Sequence, residues 1–403
     1  MKRIYNALFI SLFLFTGLPV AQASKTGSEY KILFIGKHYT TPPPLSLLEK
    51  ELEDEGIKGA ELSAKDGNLA GRLFKKTYHV DSHILGENEP VSGLTEDIRV
   101  GEYRFIIADL YKEDLLALTR HPATSEAVIF NIRETDDSLR TQTCQLNLFH
   151  LIPSRAMYGD ALGQYLVWKR WNRWLLITGK KEEDRKFAAA MKRTAERYGA
   201  KIVEEREYQF EAGNRRMETG HQQIQTQMPT VTQHAPEHDV VVVADESEAF
   251  GLYMAYRTKI PRPVVGTQGM YPTAWHRSFE QYGSARLQKV YDVFANRQMT
   301  EKDYLGWLAV KQVVAFTLRK DAVDQASIIT ALRDPELKLA GYKGRPMNFR
   351  TWNNQLRQPV LLTTDSALIS MSPIEGFLHP SYHTDTLGYD EPESKCRLGG
   401  NNQ

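Results

Sequence analysis

The sequence predicts an α/β protein with two lobes, each a parallel sheet flanked by helices. Three observations support this prediction. Short apolar segments that are typical of buried strands alternate with segments of helical periodicity. The 403 residues exceed one ordinary domain, which holds about 100–200 residues. The 51 basic and 50 acidic residues nearly cancel, so the charge pattern indicates neither a nucleic-acid partner nor binding to a membrane surface.

Residues 1–23 have the order of features found in secretory signal peptides. Lys2 and Arg3 precede an apolar run at residues 7–20, and a small-x-small cleavage site follows. The apolar run is too short to span a bilayer, which takes about 20 residues. We therefore expect cleavage near Ser24 and export to the periplasm as a soluble monomer without stable membrane insertion. No cysteine directly follows the cleavage site, so we expect no lipid anchor.

The first lobe is expected to begin with alternating strands and helices. Strands are expected at residues 31–36, 77–85, 104–108 and 127–131. Between the first two strands, a Pro-rich loop at residues 41–44 precedes a helix at residues 59–71, where Ala60, Leu62 and Ala64 recur at helical spacing. This β-α-β order predicts a parallel sheet with helices on both faces.

A second set of elements follows. Strands are expected at residues 173–178, 201–208, 239–244 and 263–266. Helices are expected at residues 161–169, 182–198, 304–318 and 326–332. Gly199 lies where a helix-ending glycine belongs. Residues 222–238 are polar and contain two prolines, so we predict a loop there, and an irregular tail is expected at residues 381–403.

The two cysteines, Cys144 and Cys396, are expected to form a disulfide because the chain is exported. The alternative is two separate thiols. A disulfide would attach the C-terminal tail to the hinge side of the first lobe.

Motifs for catalysis are absent from the sequence. It has no G-x-S-x-G, no P-loop, no G-x-G-x-x-G after a strand and no C-x-x-C. His234 and His238 have the spacing of zinc ligands on a helix, but Pro236 between them breaks a helix. We therefore predict neither an enzyme nor a bound cofactor.

Acidic residues cluster after two of the predicted strands. In open parallel sheets, ligands bind beyond the carboxyl ends of the strands, and these clusters fall there. The alternative is that the carboxylates cap helices. Tyrosines after strands would suit the walls of a ligand cleft between the lobes. The predicted ligand contacts are Asp109, Tyr111, Glu134, Asp136, Asp137, Arg155, Tyr158, Asp245 and Glu246.

Four segments resemble the type I periplasmic binding proteins of ABC transporters, the branched-chain amino-acid receptor group. They are residues 59–62 with 71–72, 147–150 with 153–154, 239–244, and 299–304. The resemblance implies a two-lobed fold with a ligand cleft, and an ABC permease as partner. The first lobe would take residues 29–152 and 279–335, and the second would take residues 153–278 and 336–380.

Within that group, one branch is more similar. Residues 43–48 and 53–56, Ser138-Leu139-Arg140 and Cys396-Arg397 resemble binding proteins encoded beside PQQ-dependent alcohol dehydrogenases. Related systems are linked to methylotrophy and to lanthanide uptake. Two alternatives therefore stay open: a lanthanide-uptake binding protein, or an accessory factor for a periplasmic quinoprotein dehydrogenase.

Arg155 departs from the pattern of the group. Amino-acid receptors of this fold hold the ligand's ammonium with an Asp just after the crossover between lobes, where this sequence has Arg155. A guanidinium repels an ammonium and prefers carboxylate or phosphate, so an ordinary amino acid is not the expected ligand. A small organic acid anchored by Arg155 is favoured over a hard trivalent cation held by the carboxylates.

Overall fold

The structure is a computed structural model that describes residues 27–40, 52–94, 98, 101–208, 218–321 and 324–398. The predicted signal peptide, the Pro-rich loop at residues 41–44 and the end of the tail lie outside the described residues. Within the described ranges, every helix is too short or too polar to cross a membrane.

Strands and helices alternate along most of the chain. The strands are β1 Ser28–Lys37, β2 Lys76–Leu85, β3 Phe105–Asp109, β4 Val128–Asn131, β5 Leu148–His150, β6 Arg173–Thr178, β7 Lys201–Glu207, β8 Val240–Ala244, β9 Val264–Gly266, β10 Tyr271–Thr273, β11 Leu339–Ala340, β12 Pro346–Met347, β13 Val360–Thr363 and β14 Leu368–Ser372. The helices are α1 Ile57–Gly71, α2 Lys112–Thr119, α3 Ser138–Thr141, α4 Arg155–Trp168, α5 Glu182–Tyr198, α6 Glu218–Thr232, α7 Ser284–Ala295, α8 Glu301–Thr317 and α9 Gln325–Leu332.

The first sheet is parallel, with the strand order β2-β1-β3-β4-β5. The strands β3 and β4 are apolar and buried on both faces because helices cover both, whereas the edge strand β2 is largely polar. On one face, Phe34 and Ile107 pack with residues of α1 and α8. On the other face, Ile35 and Ile106 pack with residues of α2. The predicted sheet with helices on both faces is confirmed here.

The second sheet is also parallel, with the order β7-β6-β8-β9. Leu176 and Val242 face α4 and α5, and Val241 and Val243 face α6. The carboxyl ends of β4 and β8 lead into the two acidic clusters, which places both clusters at the edges where ligands bind in such sheets.

Segments from late in the chain connect back to the first sheet. Asp303 of α8 accepts a hydrogen bond of 2.8 Å from the backbone of Gly56, which precedes α1. A Cβ on Gly59 would overlap the carbonyl of Asp303, so the close crossing of α1 and α8 requires glycine. Further along the chain, the backbone of His150 in β5 donates 2.9 Å to the carbonyl of Asn354.

Two predicted segments are wrong in part. The helix expected at residues 161–169 begins at Arg155, because the Ser154 hydroxyl caps it by accepting from the Met157 backbone at 3.3 Å. Arg155 and Tyr158 therefore lie in the first turn of α4, directly after the crossover. The other strand and helix predictions are confirmed, with ends that differ by a few residues.

The loop predicted at residues 222–238 is also wrong in its first half, where α6 continues to Thr232 with Pro229 inside the helix. Ile224 and Met228 lie four residues apart and are buried against the second sheet. Burial of this apolar face outweighs the missing backbone N–H of the proline.

The predicted disulfide is confirmed. Cys144 and Cys396 are bonded, with their Cα atoms 5.9 Å apart, within the usual range for such bridges. Next to it, the Lys395 backbone donates 2.9 Å to the Thr141 carbonyl. The end of the described chain is therefore attached beside helix α3, which follows β4 of the first sheet.

Candidate ligand-binding site

Arg155 connects the loop after β4 of the first sheet with the loop after β8 of the second sheet. Its Nε lies 2.9 Å from both Glu246 oxygens and its Nη2 lies 2.7 Å from Oε2. Its Nη1 lies 3.6 Å from Oε1 of Glu134. Glu246 follows β8 and Glu134 follows β4, so one guanidinium bridges both sheets. Burial acts to lower the pKa of Arg155, but Glu246 and Glu134 outweigh it and keep the guanidinium charged.

One donor of this guanidinium remains unused. Nη1 of Arg155 is buried and donates no hydrogen bond to any residue that the structure describes. The distance of 3.6 Å to Glu134 allows an ion pair but is too long for a good hydrogen bond. Arg155 therefore retains capacity to donate to an acceptor on a ligand.

The acidic cluster after β4 is already paired. Oε2 of Glu134 accepts from the Lys112 backbone at 2.8 Å. Asp136 lies 3.2 Å from Nζ of Lys112 and 3.3 Å from Nζ of Lys186. Burial acts to raise the pKa of Asp136, but hydrogen bonds from Ser138 and Lys112 outweigh it and hold the pKa well below its usual range. The Asp136 carboxylate is thus ionised and already paired with the ammonium groups of Lys112 and Lys186.

Asp137 and Asp245 accept hydrogen bonds from backbone N–H groups, which is the role that the alternative interpretation of the acidic clusters gives them. Oδ1 of Asp137 accepts from the Ala156 backbone in the first turn of α4, at 3.1 Å. Asp245 accepts from the backbones of residues 249–251 at 2.6–2.9 Å and from the Ser247 hydroxyl at 3.3 Å. Asp245 is consequently occupied within its own loop.

Asp109 and Tyr111 belong to a cluster at the end of β3. Nε of Arg133 lies 2.6 Å from Asp109, and Nζ of Lys302 lies 3.8 Å from it. Burial acts to raise the pKa of Asp109, but Lys302 and Arg133 outweigh it and lower the pKa. The Arg133 guanidinium also lies over the rings of Tyr39, at 5.3 Å, and Tyr111, at 5.0 Å. Tyr111 stays 43% exposed, so it offers a ring face to a ligand.

Tyr158 is buried and joins α4 to α8. Its hydroxyl donates 2.7 Å to Oε1 of Glu301, the first residue of α8. Glu301 also accepts from the Ala274 backbone. Burial and the neighbouring carboxylate raise the pKa of Tyr158, so it remains a donor.

A cavity of about 310 Å³ lies beside these residues. Lys112, Asp136, Asp137 and Arg155 contribute to its lining, as does Lys186 of α5. This size is at the lower end for ligand pockets, which typically hold about 300–1,000 Å³. Its walls come from helices and loops that pack on both sheets, so movement of one sheet relative to the other would change it.

The structure brings together Glu134, Asp136, Asp137, Arg155 and Glu246, whereas Asp245 stays apart from them. Sequence reasoning missed several partners of the predicted set, and they are Tyr39, Lys112, Arg133, Lys186, Glu301 and Lys302. Arg133 follows β4 and Lys112 follows β3. Their positions shortly after strands were the feature of the sequence that could have identified them.

A group of three or more His, Cys, Asp or Glu side chains that could hold a metal ion is absent from the part of the chain that the structure describes. A metal would have to displace the Lys and Arg partners of the acidic cluster. His234 is exposed, while His238 is buried with Nδ1 2.7 Å from the Pro236 carbonyl, so the two rings do not share an environment.

Comparison with known proteins gives one family. A family model described as periplasmic binding protein matches residues 105–364. A comparison with curated protein sequences finds no match.

Several solved structures are similar over most of the chain. A branched-chain amino-acid ABC transporter periplasmic ligand-binding protein from Burkholderia xenovorans LB400 is 12% identical, with 92% of this chain and 100% of that chain covered and a TM-score of 0.70. An ABC transporter substrate-binding protein from Desulfitobacterium hafniense in complex with Leu is 15% identical, with coverage of 85% and 99% and a TM-score of 0.64. A solute-binding protein from R. palustris in complex with benzoate is 13% identical, with coverage of 85% and 95% and a TM-score of 0.61. At these identities the likenesses show the fold, and the predicted fold class is confirmed.

Proposed function

The chain belongs to the periplasmic binding protein family, and from this premise we propose that it is the component of an ABC uptake transporter that closes two lobes on a small ligand which is not an ordinary amino acid. The lobes comprise residues 29–152 with 279–335 and residues 153–278 with 336–380. Residues 1–23 direct export to the periplasm, and the permease of the transporter is the partner.

The pairing of Arg155 with Glu246 is the observation that carries the ligand proposal. An ammonium group at this position would meet the Arg155 guanidinium. The Glu246 carboxylate, which could otherwise attract the ammonium, is already paired with that guanidinium at distances of 2.7–2.9 Å. Like charges at short distance repel, so an amino acid would have to break the pair before binding.

The unused donor of Arg155 supports an anionic ligand. Nη1 is buried without an acceptor among the described residues, and Arg155 lines the cavity. Nearby, Lys112 and Lys186 share the single carboxylate of Asp136. A carboxylate on the ligand would accept from these donors, and Ala189, Ala190 and Tyr389, which also line the cavity, would contact its apolar part.

The proposed link to a PQQ-dependent alcohol dehydrogenase system rests on the resemblance of residues 43–48 and 53–56, Ser138-Leu139-Arg140 and Cys396-Arg397. A permease and an ATPase encoded beside this chain would support transport, and their absence there would favour an accessory role at the dehydrogenase. Because every carboxylate of the acidic cluster already has an N–H or cationic partner, lanthanide binding has less support.

A thermal-shift screen of the mature protein tests this proposal. Small organic acids, alcohols, PQQ, leucine and lanthanide ions would be added singly. A bound ligand raises Tm because it stabilises only the folded state. We expect an organic acid to raise Tm and leucine to leave it unchanged, and we expect Arg155→Ala to abolish the shift. Stabilisation by leucine in the wild type would refute the proposal.

A further inference from the structure

A second pocket lies apart from the cleft, beside the C-terminal segment. Its volume is about 270 Å³, and it shares no lining residue with the cleft cavity. The side chains that matter for its chemistry are Lys338, Arg345, Asn348, Arg357, Tyr382 and His383. Three of these are basic, and the residues that line the pocket include no carboxylate.

Arg357 at the base of the pocket is buried, with 6% of its surface exposed. Its Nε lies 2.9 Å from both oxygens of Asp385. Its Nη1 donates to Oδ1 of Asn348 at 3.1 Å and to the Phe349 carbonyl at 2.9 Å. Arg357 also lines the pocket, so a buried guanidinium borders the space that a ligand would occupy.

The buried charges around Arg357 do not balance. Arg350 shares Asp385 with Arg357, with Nε 2.9 Å from Oδ1, and all three side chains are buried. Among described residues, Asp385 is the one carboxylate within ion-pair distance of either guanidinium. Two guanidiniums on one carboxylate leave one positive charge uncompensated in a buried place, which is unfavourable unless an anion is near. Burial and the neighbouring Arg350 lower the pKa of Arg357, as expected for incomplete compensation.

The rim of the pocket adds exposed donors. Nη1 of Arg345 is hydrogen-bonded to Nδ1 of His383. The Tyr382 ring lies 3.8 Å from the Arg357 guanidinium and covers one face of it. Lys338 is half exposed and is paired with the exposed Glu336 at 3.2 Å. Arg345 and Lys338 thus add two cationic side chains to the lining.

We propose that this pocket binds a small oxyanion, a carboxylate or phosphate group, held by Arg357 and by the cations of the rim. A guanidinium presents donors in a planar fork that matches either group. Binding compensates the excess charge of the Arg350–Asp385–Arg357 cluster. It also ties residues 381–384 to the segment around β12, so the anion stabilises the C-terminal segment independently of any ligand in the cleft.

Calorimetric titration of the mature protein with inorganic phosphate and, separately, with acetate tests this proposal. We expect saturable binding of at least one anion. Binding of phosphate alone identifies a phosphate site, and binding of acetate alone identifies a carboxylate site. Arg345→Ala, at the exposed rim, should weaken binding by at least about tenfold through loss of a charged donor. The matched control is Arg286→Ala, because Arg286 is exposed, lies in α7 and lines neither this pocket nor the cleft cavity.

Three results would overturn the proposal. The first is the absence of saturable binding for both anions. The second is equal weakening by Arg345→Ala and Arg286→Ala, which indicates diffuse attraction by surface charge. The third is loss of anion binding in Arg155→Ala with retention in Arg345→Ala, which assigns the binding to the cleft.

Discussion

Nζ of Lys186 in α5 lies 3.3 Å from Oδ2 of Asp136, and this ion pair joins the second sheet's helix layer to the loop after β4 of the first sheet. Lys186 is partly exposed, whereas Asp136 is buried. A contact that lines the cavity and joins the two sheets favours the arrangement in which the sheets lie close together.

Lys186→Ala should therefore shift the protein toward an open form. Exposed ion pairs contribute about 0–1 kcal/mol, so loss of this contact should lower ligand affinity by up to about fivefold, and loss of the proposed donor from Lys186 to the ligand should lower it further. Calorimetric titration with the acid found in the thermal-shift screen measures this change. Lys192→Ala is the matched control, because Lys192 lies on the same helix and pairs with Glu205 of the same sheet at 2.6 Å. An equal effect of both variants would contradict a role in closure.

The disulfide gives a second prediction. Cys144 and Cys396 are 252 residues apart, and closing so long a loop contributes at most about 5 kcal/mol in the chain-entropy model. We expect Cys396→Ser to lower the free energy of unfolding, measured by urea titration of the oxidised proteins. Thiol titration of the unfolded, unreduced wild type should detect no thiol, and two reactive thiols would show that the bridge is absent in solution.

Much of the fold was predictable because burial leaves a local signature. The run Val240–Ala244 is apolar on both faces and could only be a covered strand. The N-terminal end of α4 was not found, since its signal is one capping serine after a proline. The helix α6 was missed because the two prolines and the polar composition of its segment hid Ile224 and Met228.

The candidate site was predictable only in part. Residues directly after strands, such as Glu134 and Glu246, lie at a sheet edge whatever the rest of the chain does. Their partners depend on tertiary placement. Lys186 lies inside an amphipathic helix, where a lysine is expected on the exposed face, and nothing local indicates that it reaches Asp136. Arg155 was predicted as a ligand anchor, but no local pattern revealed that Glu246 already pairs with it.

Lys343 gives a prediction of pH dependence. It is fully buried, where Nζ donates to Gln358 at 2.7 Å and to the Pro359 carbonyl at 3.0 Å. Burial lowers its pKa from 10.5 to about 7, against the weaker opposing effect of Glu301. Between these pH values the unfolded chain binds more protons than the folded one, so stability rises with pH by up to about 1.4 kcal/mol per unit.

Lys343→Met should remove this slope between pH 7 and pH 10.5. Urea unfolding of the wild type and of Lys343→Met at several pH values measures the difference between their slopes. The other groups that titrate in this range contribute to both slopes and cancel in the difference. The exposed Lys201→Met serves as control and should keep the wild-type slope. If Lys343→Met keeps it as well, Lys343 is not the group responsible.

The pair of Arg155 and Glu246 is expected to be strongly coupled. Arg155→Met leaves Glu246 partly buried near Glu134, so we expect a loss of about 3 kcal/mol in unfolding free energy, at the low end for a buried pair. The double variant Arg155→Met/Glu246→Met removes both charges and should be more stable than Arg155→Met alone. A double variant whose loss equals the sum of the single losses would show that the two residues do not interact.

The last prediction concerns the space that Arg155 vacates. In Arg155→Ala, Glu246 and Glu134 face a gap that had held a guanidinium between them at 2.7–3.6 Å. Guanidinium chloride at millimolar concentration should refill the gap and raise Tm of this variant, since a ligand that binds only the folded state stabilises it. The wild type and Arg286→Ala should show no rise, and sodium chloride at the same ionic strength should have no such effect on any of the three. A specific rise means that the carboxylates still form a cation site and that Arg155 is what closes it to an ammonium ligand. The same rise of Tm in all three proteins would show that guanidinium does not act through the gap at position 155. It would also remove the main argument against an amino acid as the ligand.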